Sequence, residues 1–74
     1  MDKNVRNKLE EYLIELAEAA RANRNDKGIV ADILFEATGA IAILSKLYPE
    51  DEHELNDIYD DWETAIMEIT DYWV

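Results

Sequence analysis

Carboxylates, the side chains in this sequence most able to do chemistry, are concentrated at one end of the chain. The last 27 residues, Tyr48 to Val74, contain ten aspartates and glutamates and no lysine or arginine. The first 47 residues contain the other eight acids and all seven bases. A region with this charge repels nucleic acid and anionic membranes and attracts basic surfaces. We therefore expect a partner with a basic surface, and no direct binding of nucleic acid or membrane.

Carboxylates can also hold a metal ion when two pairs face each other. Glu15 and Glu18 form one such pair at helical spacing, and Glu54 and Asp57 form another. These pairs resemble those of the all-α nucleotide pyrophosphatases of the MazG type, and the resemblance implies Mg²⁺ held against a triphosphate. With 18 acids in 74 residues, such spacings also arise by chance. We predict a non-enzymatic protein and keep the pyrophosphatase as an alternative hypothesis.

Other reactive residue types are scarce. The single histidine, His53, follows Glu50 at the spacing of half a di-iron motif, but the sequence has no second histidine to complete it. The chain has no cysteine, so neither a disulfide nor a zinc thiolate can form. We predict no metal site and no cofactor. A chain without cysteine is compatible with a reducing cytoplasm, which is the predicted location.

The composition is that of one small folded domain spanning residues 1–74. Apolar residues make up 49% of the chain, too many for a disordered acidic tail. No apolar segment follows Met1 to Asn4 as a secretory signal would require. A core of this size supplies roughly 3–5 kcal/mol, so association with a partner or with itself is an expected source of further stability.

Apolar spacing predicts an all-α three-helix bundle, with helices at about residues 3–23, 28–47 and 50–73. Asp2 is the expected N-cap of the first helix, and Asp26 or Gly28 is expected to open the second. The third helix is predicted to begin at Pro49, or at a capping box of Asp51 and Glu54.

The third helix is predicted to have two chemically different faces. Leu55, Trp62 and Ile66 lie on an apolar face together with Trp73 at the end. The opposite face is acidic and carries the residues predicted to bind the partner: Asp57, Asp60, Asp61, Glu68 and Asp71, flanked by Glu63. A solvated face that keeps a small protein soluble is the simpler interpretation. The absence of interspersed lysines favours recognition.

The second helix is apolar around most of its circumference. One broad face includes Ile29 and Leu47, and the back carries small residues and one aromatic: Ala31, Phe35, Gly39 and Ala42. Glycine within a helix costs about 0.5–1 kcal/mol, which close approach of another helix can offset. We predict that these four residues mediate a homodimer, since two partner helices would leave this face uncovered.

These patterns lead to one functional hypothesis and a runner-up. The first is a protein that binds a basic, nucleic-acid-binding surface of a protein partner and blocks it, as small acidic proteins of bacteriophages do. The runner-up is a general interaction or assembly module whose acidity serves solubility.

Overall fold

The computed structural model describes residues 1–70 and 72, and these form an all-α three-helix bundle. The helices are α1 (Lys3–Ala22), α2 (Lys27–Leu47) and α3 (Glu52–Thr70), with a single 3₁₀ turn at Pro49–Asp51 before α3. The prediction of fold class and of three helices in this order is confirmed. Self-association is not shown and stays a prediction.

The first two helix starts follow from local side-chain chemistry. Asp2 caps α1 by accepting a hydrogen bond from the Val5 amide at 2.9 Å, as predicted. Asp26, rather than Gly28, caps α2, and its Oδ1 accepts from the Ile29 amide at 3.1 Å. In each case a carboxylate satisfies an amide that has no partner within the helix.

The start of α3 follows the proline alternative. Pro49 is the first residue of the 3₁₀ turn, where its missing N–H costs no hydrogen bond. The capping-box alternative was wrong, because both carboxylates have other partners. Asp51 pairs with the amino group of Met1, and Glu54 pairs with Arg6.

The third helix is shorter than predicted. It ends at Thr70. Tyr72 lies in a turn, and its backbone amide donates a hydrogen bond to the Met67 carbonyl at 3.2 Å. The Thr70 hydroxyl donates back to the Ile66 carbonyl at 2.6 Å within the last helical turn. Asp71 and the predicted helix end at Trp73 lie outside the described residues.

The core lies between the three helices and is almost entirely aliphatic. Its buried members are Leu9, Leu13, Leu16, Ala20, Val30, Ile33, Leu34, Ala37, Ile41, Leu55 and Ile66. Trp62 packs at the edge, where its indole N–H donates to the Leu13 carbonyl at 2.9 Å, so its polar atom is satisfied. Ile29 and Leu47, predicted on the broad apolar face of α2, are exposed.

Helix α2 also has the length and hydropathy that crossing a membrane would require, with a mean hydropathy of 1.7. A core helix of a soluble protein meets the same criteria, so this is weak evidence for a span. Five of its residues are buried in the bundle, whereas Ile29, Phe35, Ile43 and Leu47 are exposed.

Candidate functional site

The outward face of α3 carries a row of carboxylates, which we call the acidic ridge: Asp57, Asp60, Asp61 and Glu68. All four residues are exposed, while Leu55 and Ile66 on the opposite face are buried. The 3.6-residue period of the helix produces this division, since burying the apolar positions turns the acidic ones outward. Asp71, predicted as part of the same row, lies outside the described residues.

Two cationic groups near the N-terminus pair with carboxylates near the start of α3, but neither pairs with the ridge. Three ion pairs join described residues: Met1 with Asp51, Arg6 with Glu54 at 2.5 Å, and Lys8 with Glu11 at 3.6 Å. None of them includes a ridge carboxylate. The ridge carboxylates therefore face solvent without a cationic partner among the described residues, and Asp57 lies at repulsive i,i+3 and i,i+4 spacing from Asp60 and Asp61.

Glu63 lies on a different side of α3 from the ridge that it was predicted to flank. It is half-buried and accepts a hydrogen bond from the Tyr59 hydroxyl at 2.9 Å. The Thr38 hydroxyl lies 2.9 Å from the Tyr59 oxygen and also 2.9 Å from the Leu34 carbonyl. A chain of polar groups thus links α2 to α3, with Glu63 at one end.

The surroundings of the Tyr59 hydroxyl raise its pKa. Burial raises the pKa of the Tyr59 hydroxyl, the Thr38 hydrogen bond partly opposes that rise, and the neighbouring Glu63 carboxylate adds to it. A neutral hydroxyl can accept from one neighbour while donating to another. Tyr59 is therefore a positioning group between two helices.

A groove of about 290 Å³ lies beside this polar chain, between α2 and α3. Its walls are mainly apolar and consist of Ala31, Leu34, Phe35, Thr38, Tyr59, Glu63, Met67 and Tyr72. Sequence reasoning did not find the groove. Its residues belong to separate segments, and only the packing of α3 on α2 brings them together.

The four residues predicted for self-association lie on the outer side of α2. Ala31 is half-buried at the groove, whereas Phe35, Gly39 and Ala42 are exposed. Phe35 is 75% exposed, an unusual fraction for a phenylalanine. A Cβ placed on Gly39 would meet nothing within 4 Å, so neither α1 nor α3, as described, approaches it closely.

The carboxylates that resemble a pyrophosphatase site are not assembled into one. Glu15 and Glu18 are exposed on α1, and Glu54 is engaged by Arg6. Among residues 1–70 and 72, no group of three or more histidine, aspartate or glutamate side chains could hold a metal ion.

No family model matches this chain, and neither the curated proteins nor the solved structures give a significant match. A functional hypothesis therefore has to be based on the surface itself.

Proposed function

We propose that this chain is a non-enzymatic binding protein that covers a basic surface of a protein partner and blocks it. The observation that carries the proposal is the acidic ridge, where Asp57, Asp60, Asp61 and Glu68 are exposed and belong to none of the ion pairs among the described residues. Carboxylates form strong charge-assisted hydrogen bonds with arginine and lysine. These are the side chains that such a partner presents.

The dimensions of the ridge fit a surface that normally holds nucleic acid. Asp57 and Glu68 are separated by about 16 Å along the helix at 1.5 Å per residue. That length is comparable with a few phosphates of a nucleic-acid strand, whose binding sites are built from lysine and arginine. The ridge would occupy such a groove in place of phosphates. The net charge of −11 opposes direct binding of the chain to nucleic acid.

Charge reversal on the ridge tests the proposal. Asp57→Lys, Asp60→Lys and Asp61→Lys are combined in one variant, and Glu10→Lys, Glu15→Lys and Glu18→Lys in a matched control. Both variants change the net charge equally at exposed positions, but on different helices. Circular dichroism first establishes that both remain folded. Proteins captured from a lysate of the source organism are then compared by mass spectrometry.

We expect the control to capture the same partners as wild type and the ridge variant to lose them. Duplex DNA and rising salt should each release the partners from wild type, because the contact is electrostatic and the DNA competes for the same surface. Equal capture by all three proteins across salt concentrations would show that the ridge is only a solvated face.

The runner-up, a general interaction or assembly module, is favoured by a different observation. The outer side of α2 presents exposed apolar side chains, including Phe35 and Ile43. In that case partner capture would survive charge reversal on the ridge and would be lost in Phe35→Glu.

A further inference from the structure

We propose that α2 pairs with α2 of a second copy, antiparallel, about a two-fold axis that passes beside Gly39. The uncovered face of α2 is symmetric in sequence about this glycine. Phe35 and Ile43 lie four residues to either side of it, and Asp32 and Lys46 lie seven residues to either side. An antiparallel two-fold places each residue at the level of its counterpart across the axis.

The first consequence is steric complementarity. Side chains of a helix pack into the depression bounded by positions i, i+3, i+4 and i+7 of a facing helix. On α2 such a depression is bounded by Gly39, Ala42, Ile43 and Lys46, all of which are exposed. Two of these four residues are small, so the depression is deep enough for an aromatic ring. In the antiparallel arrangement it faces Phe35 of the second copy.

The exposed fractions agree with a face built for contact. Phe35 is 75% exposed and Ile43 is 62% exposed within one chain. The space above Gly39 is open, as a second helix would require. Glycine is unfavourable within a helix, but here it lies where the two backbones would approach most closely. That close approach would offset its cost.

The second consequence is charge complementarity. Asp32 and Lys46 are both exposed, and neither belongs to an ion pair among the described residues. They lie about 21 Å apart along the same helix, too far to meet within one chain. The antiparallel two-fold sets Asp32 of each copy against Lys46 of the other, at both ends of the contact. A parallel pairing would set like charges together instead.

Analytical ultracentrifugation of the full chain tests the pairing. We expect wild type to dimerise and Phe35→Glu to be monomeric, because a carboxylate would be buried against the apolar depression. Ile14→Glu is the matched control. It places the same charge at another exposed apolar position, 59% exposed on α1, and should leave the dimer intact.

A charge swap tests the register. Asp32→Lys alone should weaken the dimer roughly tenfold, because two opposite-charge contacts become repulsive. The double variant Asp32→Lys with Lys46→Asp should restore the wild-type dissociation constant. Both positions are exposed, so neither change threatens the fold.

A wild-type chain that stays monomeric up to millimolar concentration would overturn the proposal. A monomer that binds lipid vesicles would overturn it as well. A dimer that Asp32→Lys does not weaken, or that the double variant does not restore, would overturn the antiparallel register. The ridge variant Asp57→Lys, Asp60→Lys and Asp61→Lys should still dimerise, which separates this proposal from the proposed function.

Discussion

The outward faces of α2 and α3 are the same structural feature with opposite chemistry. Each lies opposite the core face of its helix, but α3 presents carboxylates and α2 presents Phe35, Gly39 and Ile43. A charged face is stable in water without a partner, whereas a contiguous exposed apolar face is typical of an interaction site. The two faces are therefore proposed to bind different partners. Salt should weaken contacts of the ridge more than pairing of α2, which is apolar apart from the contacts between Asp32 and Lys46.

The largest expected effect comes from the core on which both faces depend. Leu55 is fully buried, and Leu55→Ala should cost about 2–5 kcal/mol through lost burial and a residual cavity. That cost is comparable with the whole stability expected for a domain of this size. Urea denaturation followed by circular dichroism measures it. The exposed control Ile14→Ala should change the midpoint little, and equal losses in both variants would contradict the packing described.

A smaller effect is expected at the boundary between the two faces, where Tyr59 links α2 to α3. Tyr59→Phe removes its contacts with Thr38 and Glu63 and should cost about 0.5–1.5 kcal/mol near neutral pH. Glu63→Gln, which can still accept a hydrogen bond, should cost less. An unchanged free energy of unfolding in Tyr59→Phe would show that the polar chain contributes nothing.

The same tyrosine predicts a pH dependence. Burial raises the pKa of Tyr59 in the folded chain above its unfolded value. Its contribution to stability is therefore complete below the unfolded pKa of about 10 and is lost as the pH rises through the folded pKa. The stability difference between wild type and Tyr59→Phe should shrink accordingly in alkaline urea titrations. A difference that grew with pH would have the wrong sign.

On the α2 face, Gly39→Ala should stabilise the single chain by about 0.5–1 kcal/mol, since the added methyl group has open space and alanine favours the helix. The same change should weaken self-association by filling the depression that receives Phe35. Thermal unfolding at low concentration and sedimentation at high concentration separate the two effects. A more stable single chain with weaker self-association would support the proposed pairing through α2. A variant that is both more stable and more strongly associated would contradict it.

On the α3 face, Asp57→Asn should stabilise the chain by a few tenths of a kcal/mol, because it relieves repulsion with Asp60 and Asp61. The gain should vanish in high salt, and partner capture should fall. Glu10→Gln on α1 is exposed, has no acid at these spacings and is the matched control. A destabilised Asp57→Asn would mean that the ridge is not under electrostatic strain.

Much of the bundle could be predicted from local patterns. The Asp2 cap, the turn before α2 and the break at Pro49 depend on residues close in sequence, so they were accessible from the chain alone. The end of α3 at Thr70 and the exposure of Ile29 and Leu47 were not, because they depend on how the three helices pack against one another and not only on the spacing of apolar residues.

The candidate site also has features that the sequence predicts and features that depend on packing. The exposure of Asp57, Asp60, Asp61 and Glu68 follows from helical period, since burial of one face determines which residues lie on the other. The position of Glu63 does not, because its contact with Tyr59 depends on where α2 packs.

The sequence alone determined that a carboxylate-rich helix would display its charge and that α2 was too apolar for two neighbours to cover. Both results depend on the spacing of residues along one helix. Only the tertiary structure decided that Arg6 of α1 engages Glu54, that no ion pair among the described residues includes the ridge, and that Gly39 has open space above it. Those facts depend on distances between helices, which the packing of Leu13, Ile41 and Leu55 in a shared core sets.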